Sequence, residues 1–355
     1  MTDFSTPIQF GELHLKNRVV MAPLTRCRAT ADRVPTPMMA EYYAQRASAG
    51  LIIAEATVIS EAANGYENTP GLFSDAQVEG WKAVTQAVHA RGGLIVSQLW
   101  HVGRVSHPDL LNGETPVSAS DVKQAGHVSL LRPKREYVAP RPLEINEIQD
   151  IIAEFKQAAI RAKDAGFDGV ELHAANVYLI DQFLQSKTNL RDDIYGGSVE
   201  NRARLLLEVV DALIEVWGAG RVGVHLAPRG DEHDMGDHDP RETFGYVMQQ
   251  LGQRQIAFFF TREYLADDSI STYMKQRAGD VPYIANMRLS RNDALNLLAS
   301  GQADAVSFGK DYISNPDLFE RLVQDAALNE LKFETMIGTN VAEGYIDYPS
   351  LSESA

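Results

Sequence analysis

A strand, a polar loop and a helix start follow one another in GVELHAANVYLIDQFLQSKTNLRDDIYGGSVENRAR, residues 169–204. The β-rich run at residues 169–172 is typical of a strand. An imidazole (His173), an amide (Asn176) and a phenol (Tyr178) follow this strand within six residues. Two neutral hydrogen-bonding groups three residues apart can share one face of a turn and hold one oxygen atom, while the phenol can deliver a proton. The stretch therefore predicts a device that polarises a carbonyl group and protonates the atom next to it.

The same unit, an apolar run followed by a turn and an amphipathic helical stretch, recurs along the whole chain. Its candidate strands are residues 18–22, 51–54, 94–98, 169–172, 222–226, 257–260, 283–285 and 305–308. Its candidate helices are residues 75–90, 145–165, 199–216, 241–251, 290–298 and 316–325, with Ser290 as an N-cap.

Eight short strands, most of them followed by a helix, favour an α/β fold of the (β/α)8 TIM-barrel type. An open doubly wound sheet is less consistent with the chain, because no glycine-rich phosphate motif follows the first strand. We expect one domain of residues 1–355, with a hairpin at residues 8–15 closing the bottom of the barrel. The proline- and glycine-containing excursion at residues 107–142, after the third strand, is expected to cap the site.

Composition narrows the classes of function. The chain has 355 residues, 45% of them hydrophobic, and a net charge of −15 from 33 basic and 48 acidic residues. A surface this acidic disfavours nucleic acid and anionic membranes as partners. The single cysteine, Cys27, excludes an intrachain disulfide and a thiolate metal site, and we interpret it as a packed small side chain. The first residues, MTDFSTPIQF, lack the pattern of a signal peptide, so we expect a cytoplasmic protein.

Polar side chains stand at nearly every predicted strand end, where the site of a TIM barrel forms. They include Thr25, Thr57, Gln98, His101, His173, Asn176, His225, Arg262, Asn286, Arg288 and Lys310. A cofactor site needs such groups, whereas a purely structural barrel does not.

Seven motifs, in the same order along the chain, resemble those of the Old Yellow Enzyme family of FMN-dependent ene-reductases. They are KNRVVMAPLTR (16–26), EYYAQRASAGLIIAEAT (41–57), QLWHVGR (98–104), HAANVYLIDQF (173–183), YGGSVENRAR (195–204), ISNPDL (313–318) and GYIDYP (344–349). Cys27 stands two residues beyond Thr25 and does not replace it, so the chain is similar to the classical, N-ethylmaleimide-reductase-like branch of the family.

The resemblance implies a role for each cofactor-binding position. Thr25 is expected to hydrogen-bond the flavin O4, and Gln98 to bind the pyrimidine edge. The remaining expected FMN contacts are Pro23, Leu24 and Ala56 along the ring, His173 and His225 at the ring, and Asn286, Gly309 and Lys310 at the phosphate.

For the substrate, the resemblance implies that His173 and Asn176 bind the activating oxygen and that Tyr178 is the general acid. Tyr66 and Trp100 are expected to line the pocket. The implied reaction begins with reduction of FMN by NAD(P)H. Hydride then moves to an activated alkene, such as an α,β-unsaturated carbonyl or a nitro compound, and Tyr178 supplies the proton.

The match departs from the family pattern at four positions. His225 and Lys310 stand where the family has arginines, Ala285 stands where it has a glycine, and Ile337-Gly338 replaces an aromatic pair. Neutral histidine loses a permanent charge, and lysine keeps the charge but loses the bidentate fork. We therefore expect weaker FMN binding than is usual in the family and a wider substrate pocket.

Several polar residues have simpler interpretations. The acidic residues Asp231, Glu232, Asp234, Asp237 and Asp239, with His233 among them, suggest a metal only superficially. We interpret this cluster as a solvated loop and expect no metal. His101 is interpreted as structural, and Tyr195–Arg204 as a glycine turn followed by a helix start.

Two other functions remain open at this point. One is a barrel with little or no flavin that binds a small carbonyl or phenol ligand without redox activity. The other is a lyase or isomerase that grips a phosphorylated substrate with Lys310; it is the weaker of the two, because no barrel lysine suited to a Schiff base is present. In either case the partners are small molecules, and the chain is expected to be a monomer or a homodimer.

Overall fold

The computed structural model describes residues 2–230, 234–338 and 341–354. In chain order the strands are β1 (Ile8–Phe10), β2 (Leu13–Leu15), β3 (Val19–Met21), β4 (Leu51–Ile53), β5 (Thr57–Val58), β6 (Ile95–Trp100), β7 (Val117–Ser118), β8 (Arg141–Pro142), β9 (Gly169–Ala174), β10 (Val222–Leu226), β11 (Phe258–Arg262), β12 (Tyr283–Asn286) and β13 (Ala305–Phe308). Eight of them form a closed parallel barrel in the order β4-β3-β13-β12-β11-β10-β9-β6, which a β4–β6 pairing completes. The predicted TIM barrel is confirmed.

Helices surround the barrel. They are α1 (Pro37–Gln45), α2 (Asp75–Ala90), α3 (Ile145–Asp164), α4 (Leu179–Leu184), α5 (Val199–Trp217), α6 (Pro240–Arg254), α7 (Ser271–Ala278), α8 (Arg291–Ser300), α9 (Lys310–Ser314), α10 (Leu318–Gln324) and α11 (Leu351–Ser354). The six predicted helices are present with ends shifted by at most three residues, and Ser290 caps α8 by accepting from the Asp293 N–H at 3.1 Å. Sequence reasoning missed α1, α4, α7, α9 and α11, which are short or carry weak apolar periodicity.

Two hydrophobic layers hold this architecture together. Barrel strands are buried on both faces, as parallel strands covered by helices must be. Inward-facing residues such as Phe258 and Phe260 fill the barrel together with Phe10 and Leu13 of the antiparallel β1–β2 hairpin. The hairpin therefore closes the amino-terminal end of the barrel as predicted, and leaves the opposite end for a site.

The carboxy-terminal segment is fastened to the residues that follow β3. Arg26 donates to the carbonyl oxygens of Met336 at 2.7 Å and Gly344 at 2.8 Å. Tyr42 stacks on Tyr345 with ring centroids 4.2 Å apart, and the Arg26 guanidinium lies over both rings. Because Arg26 directly follows Thr25, this cluster also stiffens the loop on which Thr25 lies.

Residues 107–142 leave the barrel after β6 and return before α3. The short strands β7 and β8 pair within this segment, and Arg104 donates to the Val122 carbonyl oxygen at 2.9 Å. Among the described helices, none combines the length and apolar composition required to cross a membrane.

Candidate active site

The strand ends bring the predicted site residues to one mouth of the barrel. Gln98 and Trp100 lie on β6, His173 on β9, His225 on β10 and Asn286 on β12. The loops that leave the strands carry Pro23, Leu24 and Thr25 after β3, Ala56 after β4, Asn176 and Tyr178 after β9, and Gly309 after β13, while Lys310 is the first residue of α9.

The turn after β9 has a strained backbone. Asn176 and Val177 adopt the left-handed conformation with φ of 56° and 72°, which is unfavourable for a β-branched residue. Two side chains of α4 hold this turn: the Asp181 carboxyl accepts from the Val177 N–H at 3.0 Å, and Gln182 donates to the Val177 carbonyl oxygen at 2.7 Å. Burial raises the pKa of Asp181 to about 7. Strain that the surroundings enforce is typical of functional sites, and here it sets the direction of Asn176 and Tyr178.

Tyr178 lies in an aromatic cage. Its hydroxyl is 3.1 Å from the Tyr66 hydroxyl, and its ring meets Trp100 and His173 edge-on at centroid distances of 4.9 and 5.0 Å. Tyr66 in turn stacks on Trp100 at 5.5 Å. Burial raises the pKa of Tyr178 to about 12, so the phenol holds its proton throughout the neutral range.

Two buried imidazoles face each other across β9 and β10. The rings of His173 and His225 are 5.1 Å apart. Burial and, to a lesser degree, the charge of Arg262 lower the pKa of His173 to about 3, and burial likewise places the pKa of His225 well below its usual value. Both rings are therefore neutral at physiological pH, and each presents one donor and one acceptor nitrogen. In the described chain, His173 Nδ1 and His225 Nε2 are buried without a hydrogen-bond partner, which is the state a bound ligand would relieve.

Beneath the imidazoles lies a polar floor in which the predicted residues Gln98 and His225 are joined by Glu171, which sequence reasoning missed. The Gln98 amide nitrogen donates to the Glu171 carboxyl at 2.7 Å and contacts His225 Nδ1 at 3.2 Å. Burial raises the pKa of Glu171 to about 8, so this carboxyl is mainly protonated at neutral pH. The alternation of β9 could have indicated Glu171, because it lies two residues before His173 and so on the same face of the strand.

A cavity of about 510 Å³ opens beside these residues. Its walls include Pro23, Leu24, Asn176, His225, Asn286, Gly309 and Lys310, together with Arg262 and Arg288. The volume lies in the range of small-molecule sites, and three cationic side chains suit a ligand that carries a phosphate. A larger cavity of about 670 Å³, lined by residues such as Gln9 and Pro282, lies away from every predicted site residue.

Arg262 is a further residue to which sequence reasoning gave no role. It ends β11, and its Nη1 donates to Asn176 Oδ1 at 3.0 Å. A sequence signal existed: Phe258 and Phe260 face into the barrel, so a charged residue two positions further on must face its mouth.

The four departures from the family pattern differ in their consequences. His225 and Lys310 line the cavity, so the loss of arginine at these positions does alter it. Ala285 instead packs in the layer between barrel and helices, so its methyl group does not narrow the cavity. Gly338 adopts a φ of 85° and donates weakly to the Arg26 carbonyl oxygen at 3.4 Å, beside the cluster that fastens the carboxy terminus.

The residues interpreted as structural have structural partners. His101 Nδ1 accepts from the Gly103 N–H at 3.0 Å, and Asp239 caps α6 by accepting from the Glu242 N–H at 3.0 Å. Asp231, Glu232 and His233 lie outside the described residues. The interpretation of this cluster as a solvated loop is wrong for Asp237, whose side chain is buried and accepts from the Ser186 N–H and the Arg202 guanidinium. Arg204 donates to the Ile194 carbonyl oxygen at 2.7 Å, across the glycine turn. Cys27 is buried, and burial raises its thiol pKa to about 12, which makes it a poor nucleophile.

The barrel fold, the polar strand ends and the cavity together define a TIM-barrel protein with a small-molecule site suited to a ligand that carries a phosphate. The model of the NADH:flavin oxidoreductase / NADH oxidase family matches residues 3–329. Flavin oxidoreductase hxnT of Emericella nidulans is 40% identical over 97% of this chain and 96% of its own length. 12-Oxophytodienoate reductase 1 of Oryza sativa is 42% identical over 98% of this chain and 93% of its own length.

Solved structures agree with the sequence relatives. Morphinone reductase in complex with tetrahydroNAD superposes with a TM-score of 0.94 at 46% identity, covering 99% of this chain and 98% of the other. The Old Yellow Enzyme homologue from Zymomonas mobilis gives a TM-score of 0.94 at 44% identity, with 98% and 99% covered.

The chain belongs to the NADH:flavin oxidoreductase family of Old Yellow Enzyme homologues. Its cofactor is accordingly FMN and its reductant NAD(P)H. Membership favours a flavin enzyme over the flavin-free barrel and over the lyase.

Proposed function

We propose that the protein reduces activated carbon–carbon double bonds, with His173 and Asn176 holding the activating oxygen and Tyr178 donating the proton. The carrying observation is the convergence of these three side chains at one barrel mouth beside the cavity, with His173 at the end of β9 and Asn176 and Tyr178 in the strained turn that follows. FMN, when bound, supplies the hydride, and NAD(P)H restores it. The remaining steps depend on the side chains of this chain.

The cofactor-binding residues fit a flavin. Gln98 is fixed by Glu171 and His225, which turns its amide carbonyl away from the floor and makes it an acceptor for a ring N–H. The unpartnered Nε2 of His225 offers a second polar contact for the ring. Thr25, Pro23, Leu24 and Ala56 would lie along the ring, and Asn286, Gly309 and Lys310 would hold the phosphate. The Asn286 amide is fastened to the Ser307 hydroxyl at 2.9 Å, which fixes that end of the site.

Substrate activation requires hydrogen-bond donors that act without titrating. His173 stays neutral, so its protonated ring nitrogen can donate to a carbonyl or nitro oxygen at any physiological pH. Asn176 supplies a second donor from its amide nitrogen. Charge develops on that oxygen as hydride reaches the β-carbon, and one such donor is commonly worth about 2.7–4 kcal/mol of barrier.

Protonation completes the reduction. One hydride joins the β-carbon and one proton from the Tyr178 hydroxyl joins the α-carbon, while solvent restores the phenol. The neighbouring Tyr66 hydroxyl, at 3.1 Å, orients the proton donor. Tyr66 and Trp100 are the pocket walls of this proposal.

The wider setting follows from surface and topology. We place residues 1–355 in one domain, in which residues 107–142 cap the site. This is supported by a direct contact: the Asn64 side chain, which accepts from the Tyr66 N–H at 3.1 Å, donates to the carbonyl oxygen of Leu110 in that segment at 3.1 Å. With a net charge of −15 and no membrane-crossing helix among the described residues, we propose a cytoplasmic enzyme for small alkenes, monomeric or homodimeric, without nucleic-acid or membrane partners.

The test is spectroscopic and kinetic. The purified protein, with and without added FMN, should show a bound-flavin spectrum, and anaerobic NADPH or NADH should bleach it. Addition of 2-cyclohexenone should then restore the oxidised spectrum and yield cyclohexanone. A protein that neither quenches FMN fluorescence on titration nor reoxidises with the enone would refute the proposal.

A further inference from the structure

The guanidinium of Arg262 stands beside the proposed oxygen-binding pair. It is half-buried at the end of β11, lines the cavity and donates to Asn176 Oδ1 at 3.0 Å. A guanidinium has donors only, so the atom of Asn176 that faces it must be the amide oxygen. The amide nitrogen of Asn176 is thereby turned to the other side.

This orientation matters because an amide has nearly the same shape in both directions. With the amide flipped, Asn176 would present a carbonyl oxygen to the substrate oxygen, and two acceptors repel each other. Asn176 also lies in a left-handed turn that α4 fastens, so its backbone cannot compensate for a wrong amide direction. By binding Oδ1, Arg262 fixes which of the two amide directions Asn176 adopts.

The charge states of the neighbouring side chains also support a role for Arg262. His173 and His225 are neutral and Glu171 is mainly protonated at neutral pH, each because of burial. Burial is the main cause of the shifted pKa values of His173, His225 and Tyr178, and the positive charge of Arg262 makes a smaller contribution that lowers the pKa of each group. A permanent positive charge thus reaches the region where the ligand oxygen would lie.

Resting on the proposed function, we propose that Arg262 is a positioning residue: it directs the Asn176 amide nitrogen at the ligand oxygen and makes the site select oxygens that carry negative charge. Phenolates are the simplest ligands of this class. The corresponding substrates are alkenes whose activating group carries most of the negative charge that develops during hydride transfer, and nitroalkenes are the foremost example.

A phenol with an accessible pKa tests this without relying on turnover. We would titrate p-nitrophenol by calorimetry into the protein as purified, with and without added FMN, at one pH where the phenol is neutral and one where it is ionised. The proteins are wild type, Arg262→Gln, Arg262→Lys and Arg254→Gln. Arg254 is the matched control, because it pairs with Asp211 on the outer helices and its loss changes the net charge equally.

Wild type and Arg254→Gln should bind the phenolate at least about tenfold more tightly than the neutral phenol, the range expected of a charge-assisted contact. Arg262→Gln should lose this preference while its affinity for the neutral phenol changes by less than about threefold. Arg262→Lys should keep most of the preference, because it keeps the charge.

Equal phenolate preference in Arg262→Gln and wild type would overturn the inference, as would parallel loss of both affinities, which indicates a merely structural role. If Arg262→Gln does not fold, Arg262→Lys decides: loss of the preference in that variant contradicts the charge role. Failure of the proposed function is seen separately, as absence of flavin binding or enone reduction in wild type.

Discussion

Replacing Tyr178 by phenylalanine tests the assignment of the proton donor. Phenylalanine keeps the ring and its edge-on contacts with Trp100 and His173 at 4.9 and 5.0 Å, so the pocket keeps its shape. What disappears is one hydroxyl and its 3.1 Å contact with Tyr66. The substitution therefore tests the loss of the donated proton while the packing of the ring is unchanged.

The magnitude follows from the state of the phenol. With a pKa of about 12, Tyr178 is ionised in only about one molecule in 10⁵ at pH 7, so nearly every molecule is ready to donate. Loss of a positioned acid typically costs about 10² to 10⁴ in rate. We expect alkene reduction to slow by about a hundredfold or more. The buried Tyr66 hydroxyl loses its partner, which should cost about 1–3 kcal/mol of stability.

The assay is a pair of anaerobic stopped-flow experiments. Bleaching of the flavin by NADPH should proceed at the wild-type rate in Tyr178→Phe, whereas reoxidation by 2-cyclohexenone should be slow. Tyr283→Phe is the control, since Tyr283 is also a buried phenol with a pKa raised to about 12 but bonds Thr261 on the outer side of the barrel. Equal slowing of both half-reactions, or unchanged reoxidation, would refute the acid role of Tyr178.

Three further predictions concern the cofactor and the fold. Lys310→Met should weaken FMN about tenfold and leave riboflavin affinity unchanged, because riboflavin lacks the phosphate; equal weakening of both, by fluorescence quenching, would place Lys310 elsewhere. The Glu171 pKa is raised from 4.5 to about 8, so the folded protein binds a proton that the unfolded chain releases in this range. The free energy of unfolding therefore falls as the pH rises from about 4.5 to 8, by up to about 1.4 kcal/mol per pH unit. Melting curves of Glu171→Gln should lose this contribution, and profiles that remain parallel to wild type would contradict it. Gly50→Ala would place a methyl group 2.1 Å from the Asn17 carbonyl oxygen and should cost about 3 kcal/mol or more, and an unchanged melting temperature would contradict this.

The fold could be predicted because its determinants are local and repeated. Strand-forming runs of three to five residues and amphipathic stretches alternate along the chain, and α2 matches its predicted limits at both ends. Helices such as α4 were not predicted, because they are stabilised by tertiary packing and not by an amphipathic sequence pattern. All six residues of α4 are buried, so it lacks the polar face that periodicity detects.

The site was predictable in part. His173, Asn176 and Tyr178 are near in sequence, so their convergence needs only one turn. Strand alternation indicates the direction in which Arg262 and Glu171 point, but not their partners, which lie 86 and 73 positions away in the chain.

Sequence by itself therefore determined the barrel and the family, and it proposed His173, Asn176 and Tyr178 as the oxygen-binding and proton-donating side chains. Tertiary structure alone decided their chemical state. Burial keeps both imidazoles neutral and the Tyr178 phenol protonated, Asp181 holds the strained turn, and Arg262 sets the direction of the Asn176 amide. The physical reason is that the type of each side chain is given by the sequence, whereas its desolvation and its electrostatic surroundings depend on neighbours that folding brings together.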